Sequence, residues 1–308
     1  MMEREWPVKV GVVLPMAENP ETGAIPAYRE IRDLARQAEA AGFDSVWLYD
    51  HLLYRFPNRP MSGIWEGWTL LSGVAEATER VELGTIVLCT AFRNPAVLAK
   101  MAITLDEISN GRLILGIGAG WHQPEFDAFG IPFDHKGARF EDAIKIIAPL
   151  LKEGKVDYHG EYYSAPDCEM RPRGPRPGGI PLLVASKGPR MLRLTAQYAD
   201  SWNSAWFGKP TNLAPRRADL EAACAQVGRD PKTLEVTAGV QVAYPDLGQV
   251  GFPVDDADRV LTGSAEEVAA GLREYDELGV GHVIINLAPN TAAGQERLAE
   301  ALAAYRAG

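Results

Sequence analysis

The chain has 308 residues, 46% apolar and 23% charged, globular proportions that exclude intrinsic disorder and collagen-like structure. It carries 31 basic and 41 acidic side chains, a net charge of −10, which argues against a duplex-wrapping nucleic-acid binder or a protein held on anionic lipid. At about 150 residues per domain the length allows two domains, but an α/β barrel takes roughly 200–300 residues as one.

Residues 8–14 form a short, β-branched apolar run that reads as a strand. Over 27–41 the residues Ile31, Leu34, Ala35, Ala38 and Ala41 recur at helical spacing, and Gly42 ends the helix. A strand follows at 45–49, a helix at 67–77 and a strand at 81–88. The next helix has Asn94 as its N-cap and Pro95 at its first position. Its expected buried stripe is Val97, Leu98, Met101, Leu105 and Ile108, and Asn110-Gly111 ends it. Then come a strand at 112–117 and a helix at 136–151, which Pro149 is expected to end early. After an irregular stretch the pattern resumes with a strand at 182–185, a helix at 189–198 and a strand at 201–204. A helix at 213–227, a strand at 235–242 and a helix at 265–278 follow, the last opened by a capping box from Ser264 to Glu267. A strand at 282–287 and a helix at 295–305 close the chain.

Eight strands therefore alternate with eight helices. The strands read as continuous apolar runs, as a helix-covered parallel sheet requires. The expectation is a single-domain α/β (β/α)8 TIM barrel over 1–308, with an insertion at about 154–180 forming a flap on it. A doubly wound open sheet is the runner-up.

The cysteines Cys89, Cys168 and Cys224 are odd in number, far apart and without a CxxC. Reduced thiols and a cytoplasmic location are expected. The N-terminal residues show no signal-peptide pattern, and the apolar runs are too short for a membrane span.

In such a barrel the active site lies at the C-terminal ends of the strands. There Asp50-His51 leaves the second strand as a carboxylate beside an imidazole able to pass a proton. The fourth strand ends in Gly116-Ile117-Gly118-Ala119-Gly120-Trp121. This is a weak dinucleotide signal, but its bare backbone suits a flat ring equally with mere tight packing. Ser186-Lys187-Gly188-Pro189-Arg190 is a strand-to-helix turn with a hydroxyl, an ammonium and a helix N-terminus, the components of a phosphate site. Arg193 extends its basic cluster. Tyr54, Phe56, Trp65, Trp68, Phe92, Trp121, Trp202 and Trp206 are placed on the same face, where a planar ligand would suit them. His282 begins the eighth strand and reads as structural. His122 and His135 could reach the mouth. No HxH, HExxH or GxSxG occurs, so neither a metal nor a serine nucleophile is expected.

These residues resemble the luciferase-like monooxygenase family of flavin- and deazaflavin-dependent TIM-barrel oxidoreductases. The resemblance covers nearly the whole chain. It is carried by AAGFDSVWLYDH (40–51), VELGTIVLCTAFRNPAVLAK (81–100), DEISNGRLILGIGAGWHQPEFDAFGIPF (106–133), the YHGEYY run (158–163) and VASKGPRMLRLTAQYADSWN (184–203). Within the family the Asp-His pair is similar to that of the coenzyme F420 branch. The resemblance implies hydride transfer between deazaflavin C5 and a small organic substrate. His51 would do acid–base work, and Asp50 would orient it or contact the cofactor. A non-prolyl cis peptide would fall near Ile86-Val87. Gly118, Ala119, Gly120 and Trp121 would line the ring. Ala185, Ser186, Lys187, Gly188 and Pro189 would hold the phosphate-bearing tail, with Arg190 beside them. A homodimer and a flavin or F420 reductase partner are implied too. One departure concerns the substrate: F420-dependent glucose-6-phosphate dehydrogenases carry a glutamate where this chain has Trp121, with Glu125 four residues later. The alternative is an FMN-dependent monooxygenase using reduced flavin and dioxygen. A non-catalytic flavin-binding barrel is the reading from another class.

Overall fold

The computed structural model describes residues 8–19, 22–248, 256 and 258–308. In chain order its elements are β1 (Lys9–Val13), α1 (Tyr28–Ala40), β2 (Ser45–Leu48), α2 (Gly67–Ala77), β3 (Glu82–Thr85), β4 (Leu88–Cys89) and α3 (Pro95–Ile108). Next come β5 (Leu113–Gly118), α4 (Gln123–Phe129), α5 (Lys136–Lys152), β6 (Lys155–His159), β7 (Ser164–Glu169), β8 (Leu182–Ala185), α6 (Pro189–Tyr198) and β9 (Ser201–Phe207). The chain finishes with α7 (Leu213–Val227), β10 (Glu235–Ala243), β11 (Leu261–Thr262), α8 (Ala265–Glu277), β12 (His282–Ala288) and α9 (Ala292–Ala307).

Strands β1, β2, β3, β5, β8, β9, β10 and β12 pair in that order, all parallel, and β12 pairs back onto β1. The ring is closed, so the fold is a (β/α)8 TIM barrel and the open sheet is ruled out. Helix starts follow the capping residues. Asn94 Oδ1 accepts the backbone N–H of Ala96 (3.0 Å) and Val97 (3.2 Å), and Ser264 and Glu267 cap α8 reciprocally.

Two rings of core result. The outer one lies between strands and helices. The inner one plugs the barrel with Val13, Trp47, Ile86, Ile114, Leu183 and Ile284. Trp47 fills the lower barrel because its neighbours are small: a Cβ on Gly84 would meet its ring at 2.1 Å. Its indole N–H donates to Ser45 Oγ (2.7 Å), which lies 2.7 Å from His282 Nε2. Burial pushes the His282 imidazole down to about 3, so it is neutral and structural, as its place at a strand start suggests.

Several expected boundaries shift for physical reasons. The run 81–88 is not one strand: the Ile86–Val87 peptide is cis and splits it into β3 and β4. The stripe of α3 is rotated. Leu98, Ala102, Ile103 and Leu105 are buried, but Val97 and Ile108 are exposed. The rotation turns Asp106 inward, where it accepts Arg176 Nε (3.0 Å) and the Leu113 N–H (3.2 Å). Pro149 does not end α5, which runs to Lys152 with Ala148, Leu150 and Leu151 buried. A proline constrains the residues before it, and its own carbonyl still accepts the N–H of Glu153 (2.7 Å) and Gly154 (3.0 Å). The insertion is an antiparallel β6–β7 hairpin pinned to α5 through Asp142, which accepts the Tyr158 hydroxyl (2.6 Å) and the Tyr162 N–H (2.8 Å). Among the described residues, no helix is long and apolar enough to cross a membrane.

Candidate active site

The C-terminal ends of the strands surround a cavity of about 560 Å³. It is lined by Asp50, His51, Glu125, Met191 and the segments 86–89, 118–121, 185–187 and 203–206. The ends of β2, β3–β4, β5, β8 and β9, or the loops just after them, converge here.

His51 leaves β2 at the cavity wall. Its Nδ1 lies 3.0 and 3.2 Å from the two carboxylate oxygens of Glu125, which also accepts the Leu52 N–H (2.9 Å). Glu125 is 1% exposed. An ionised carboxylate only accepts hydrogen bonds, so Nδ1 carries the proton and Nε2 is left for a ligand. Glu125 reaches His51 because the short loop 119–122 after β5 leads into the short helix α4, whose first turn carries it. The sequence noted Glu125 only by its offset from Trp121 and missed this pairing. The available signal was a glutamate at the start of a helix just beyond the strand-end glycines.

Asp50 also lines the cavity, but its carboxylate is engaged from behind. It accepts both Nη atoms of Arg93 (2.8 and 2.9 Å) and the Cys89 N–H (2.9 Å). Arg93 also binds Glu66, the N-cap of α2. Burial pushes the Asp50 carboxyl up, while Arg93 and the Cys89 N–H pull against it. Arg93, absent from the sequence reading, ties Asp50 to α2 and to the β4 turn. The carboxylate thus acts on the site by fixing the β2 end.

The expected cis peptide is the Ile86–Val87 bond, and a second non-prolyl cis peptide, Ala205–Trp206, also lines the cavity. Gly118 lies flush against Val87, since an added Cβ would meet Val87 Cγ2 at 2.8 Å. Gly120 has φ +76°, with Cys89 Sγ 2.6 Å from where a Cβ would stand. Burial pushes the Cys89 thiol up to about 12, so it stays protonated.

The tail residues divide. Ala185, Ser186 and Lys187 line the cavity, whereas Gly188, Pro189 and Arg190 form the start of α6 outside that lining. The Ser186 hydroxyl points to Thr195 Oγ1 (2.8 Å), inside α6. Arg190 is held by Glu141 of α5 (2.7 and 2.9 Å). Arg193 lines a different hollow with Lys152, Tyr198 and Arg229. The basic cluster seen in sequence is therefore split, and only Lys187 faces the site. Its ammonium donates to the Ala205 carbonyl (3.2 Å), and burial beside Arg216 lowers its pKa.

The aromatics divide too. Trp121 and Trp206 line the cavity. Trp202 is buried on the helix side with its N–H on the Ser186 carbonyl (3.0 Å), and Trp68 belongs to the outer core. His122 is buried; its Nε2 accepts the Arg55 N–H (3.0 Å) and burial lowers its pKa. His135 is exposed, its ring stacked on Tyr162. Asn203 was not singled out by sequence, and Ser204 entered only as the end of the strand at 201–204. Each is buried, lines the cavity and carries an oxygen, Oδ1 and Oγ, without a hydrogen-bond partner. Buried oxygens of this kind call for a donor from a ligand or water.

A family model for the luciferase-like monooxygenases matches residues 8–247. The chain belongs to that family. An F420-dependent glucose-6-phosphate dehydrogenase of Amycolatopsis mediterranei is 36% identical over 180 residues, 56% of this chain and 52% of that one. The pyrimidine monooxygenase RutA of Yersinia enterocolitica is 31% identical over 247 residues, 72% of this chain and 64% of that one. The chain thus spans between half and two thirds of the length of these curated members. Among solved structures, an F420-dependent secondary alcohol dehydrogenase in complex with an F420-acetone adduct superposes with a TM-score of 0.79. It shares 20% identity and covers 98% of this chain and 100% of its own. That likeness bears on the fold.

Proposed function

We propose that this luciferase-like barrel is an F420-dependent oxidoreductase acting on a small organic substrate. The observation that carries this reading is the His51–Glu125 pair on the wall of a cavity sized for a planar ligand. When bound, the deazaflavin supplies the hydride chemistry at its C5. The residues present fit it. Glycine-smoothed wall at 118–120 admits a flat ring, Asn203 and Ser204 offer unpartnered oxygens to polar ring edges, and Lys187 stands ready for an anionic tail.

In this reading His51 gives or takes the proton at Nε2, and Glu125 holds its tautomer. Asp50, clamped by Arg93, is a positioning residue. Ile86, Val87 and Gly118 to Trp121 support the ring. Ala185, Ser186 and Lys187 hold the tail, with Gly188, Pro189 and Arg190 presenting the helix start beside it. The support is the geometry together with two F420-dependent proteins among the similar chains and folds. The pyrimidine monooxygenase relative favours the second reading, an FMN-dependent monooxygenase using the same cavity. The homodimer, any reductase partner and the cytoplasmic location belong to the proposal too; light scattering tests the first.

The deciding experiment is a fluorescence titration of the protein with F420, with FMN as competitor. F420 binding that FMN does not displace, and that weakens in Lys187→Ala, supports the F420 reading. FMN binding without an F420 signal reverses it in favour of the monooxygenase.

A further inference from the structure

Between β2 and α2 the chain makes a loop whose neck is closed by Tyr54 and Ser62, each donating its N–H to the other's carbonyl (2.9 Å each). The residues between them, 55–61, are all exposed. Pro57 and Pro60 have no N–H to give, and Asn58 sits at φ +61°, so the loop builds no ladder of its own. Among the described residues one hydrogen bond ties 55–61 to the rest of the protein: the Arg55 N–H donates to His122 Nε2 (3.0 Å). The loop's other bonds are internal, from the Arg59 N–H to the Phe56 carbonyl (3.4 Å) and from Arg55 Nη2 to Met61 Sδ (3.7 Å).

The acceptor in that bond is a group that can change sides. His122 Nε2 accepts only while the imidazole is neutral, with its proton on Nδ1. A second proton turns Nε2 into a donor facing another donor, and the bond is lost. His122 is buried among the rings of Phe56 (4.9 Å), Trp121 (5.0 Å) and Tyr54 (6.2 Å). Burial is the largest influence on it and lowers its pKa; Glu125 on α4 favours the cation, and His51 at the end of β2 opposes it. The Tyr54 phenol is raised by burial and stays neutral. The Arg55 guanidinium is turned to Met61, and Lys136 of α5 lies on the Gly120 carbonyl (3.4 Å) and over the Phe133 ring. The neutral imidazole is therefore the form present at neutral pH.

The place of the loop is felt at the cavity. Phe56 stacks on Trp121 (6.3 Å, 24°), which lines it, and Tyr54 at the neck lies 4.7 Å from the His51 ring. We propose that His122 is a positioning residue: neutral, it fastens loop 55–61 beside the open end of the barrel, and protonated, it lets the loop go. The inference rests on the proposed function only in making His51 the reacting group there; the fastening belongs to the protein alone.

The test is amide hydrogen exchange at Arg55 in the protein without F420, divided by the intrinsic rate at each pH. Protection of the Arg55 N–H falls about tenfold as the pH drops from about 6.5 to 4.5. His122→Phe fills a similar space without an acceptor and shows the lower protection at every pH. His122→Gln offers an amide oxygen that does not titrate, so it restores protection and removes the pH dependence. The Tyr54 and Ser62 amides, closed on each other, stay protected in all three proteins, which separates release of the loop from unfolding. Arg55 protection that is flat with pH in the wild type, or as high in His122→Phe as in the wild type, overturns the proposal. So does loss of protection at Tyr54 and Ser62 in step with Arg55. F420 takes no part in the measurement, so a failed cofactor reading leaves its result standing.

Discussion

At one end of the barrel His282 lies wholly buried, its Nε2 on Ser45 Oγ, which Trp47 also binds. At the other end His51 lies on a cavity wall, its Nδ1 on the Glu125 carboxylate. Both rings are fixed by one neighbour. The difference lies in what the second nitrogen meets. His282 is sealed among the inner barrel residues and driven neutral by desolvation. His51 has a carboxylate behind it and open space in front. In the proposed function one residue type thus serves packing at the strand starts and chemistry at the strand ends, the two faces that the barrel architecture sets apart.

The largest expected effect breaks the comparison if it fails. His51→Ala lowers turnover of the proposed F420-linked reaction by about 10²–10⁴-fold, with F420 affinity nearly unchanged by fluorescence titration. Turnover close to wild type would put the proton elsewhere. Next, Trp47→Ala opens a cavity at the closed end and costs about 3–5 kcal/mol, while the exposed Trp121→Ala changes stability by less than about 0.5 kcal/mol. Denaturant midpoints of the two variants measure the contrast.

The acid limb is a smaller effect. His282 titrates near 3 in the fold against 6.5 ordinarily. Its contribution is complete above pH 6.5 and declines as the pH falls toward 3, because the unfolded chain takes up the proton first. Between pH 6.5 and 5 the wild type loses about 2 kcal/mol from this group. His282→Gln, less stable at neutral pH, shows a flatter acid limb in the same denaturant series. Smallest is Glu125→Gln, which keeps the contact to the His51 ring but loses the carboxylate. It lowers kcat about tenfold with KM little changed, and an unchanged kcat would leave Glu125 a merely structural support.

Where the sequence was informative, the signal was local. The apolar runs and caps located the barrel strands and most helices, because periodicity and capping act within a few residues. The strand-end rule then placed Asp50, His51 and the glycines at the mouth, and the resemblance pointed to the Ile86–Val87 peptide. What escaped were pairings between distant segments. Arg93 meets Asp50 across 43 positions and Glu125 meets His51 across 74, and neither partner carries a periodic signature. The basic run at 187–193 misled for the same reason. Lys187 precedes α6, while Arg190 and Arg193 lie a turn apart along it and meet different neighbours, Glu141 and the far hollow. The inward turn of Asp106 on α3, where it meets Arg176, is again a long-range pairing.

The central claim is that the open end, beside His51, is where the cofactor binds. The most direct test follows the nitrogen-15 histidine resonances of the labelled protein as F420 is added, with His51→Ala and His282→Gln spectra assigning the two rings. The account predicts that the His51 Nε2 resonance shifts with saturation while His282 stays fixed. A saturating F420 titration that leaves His51 unmoved would contradict it.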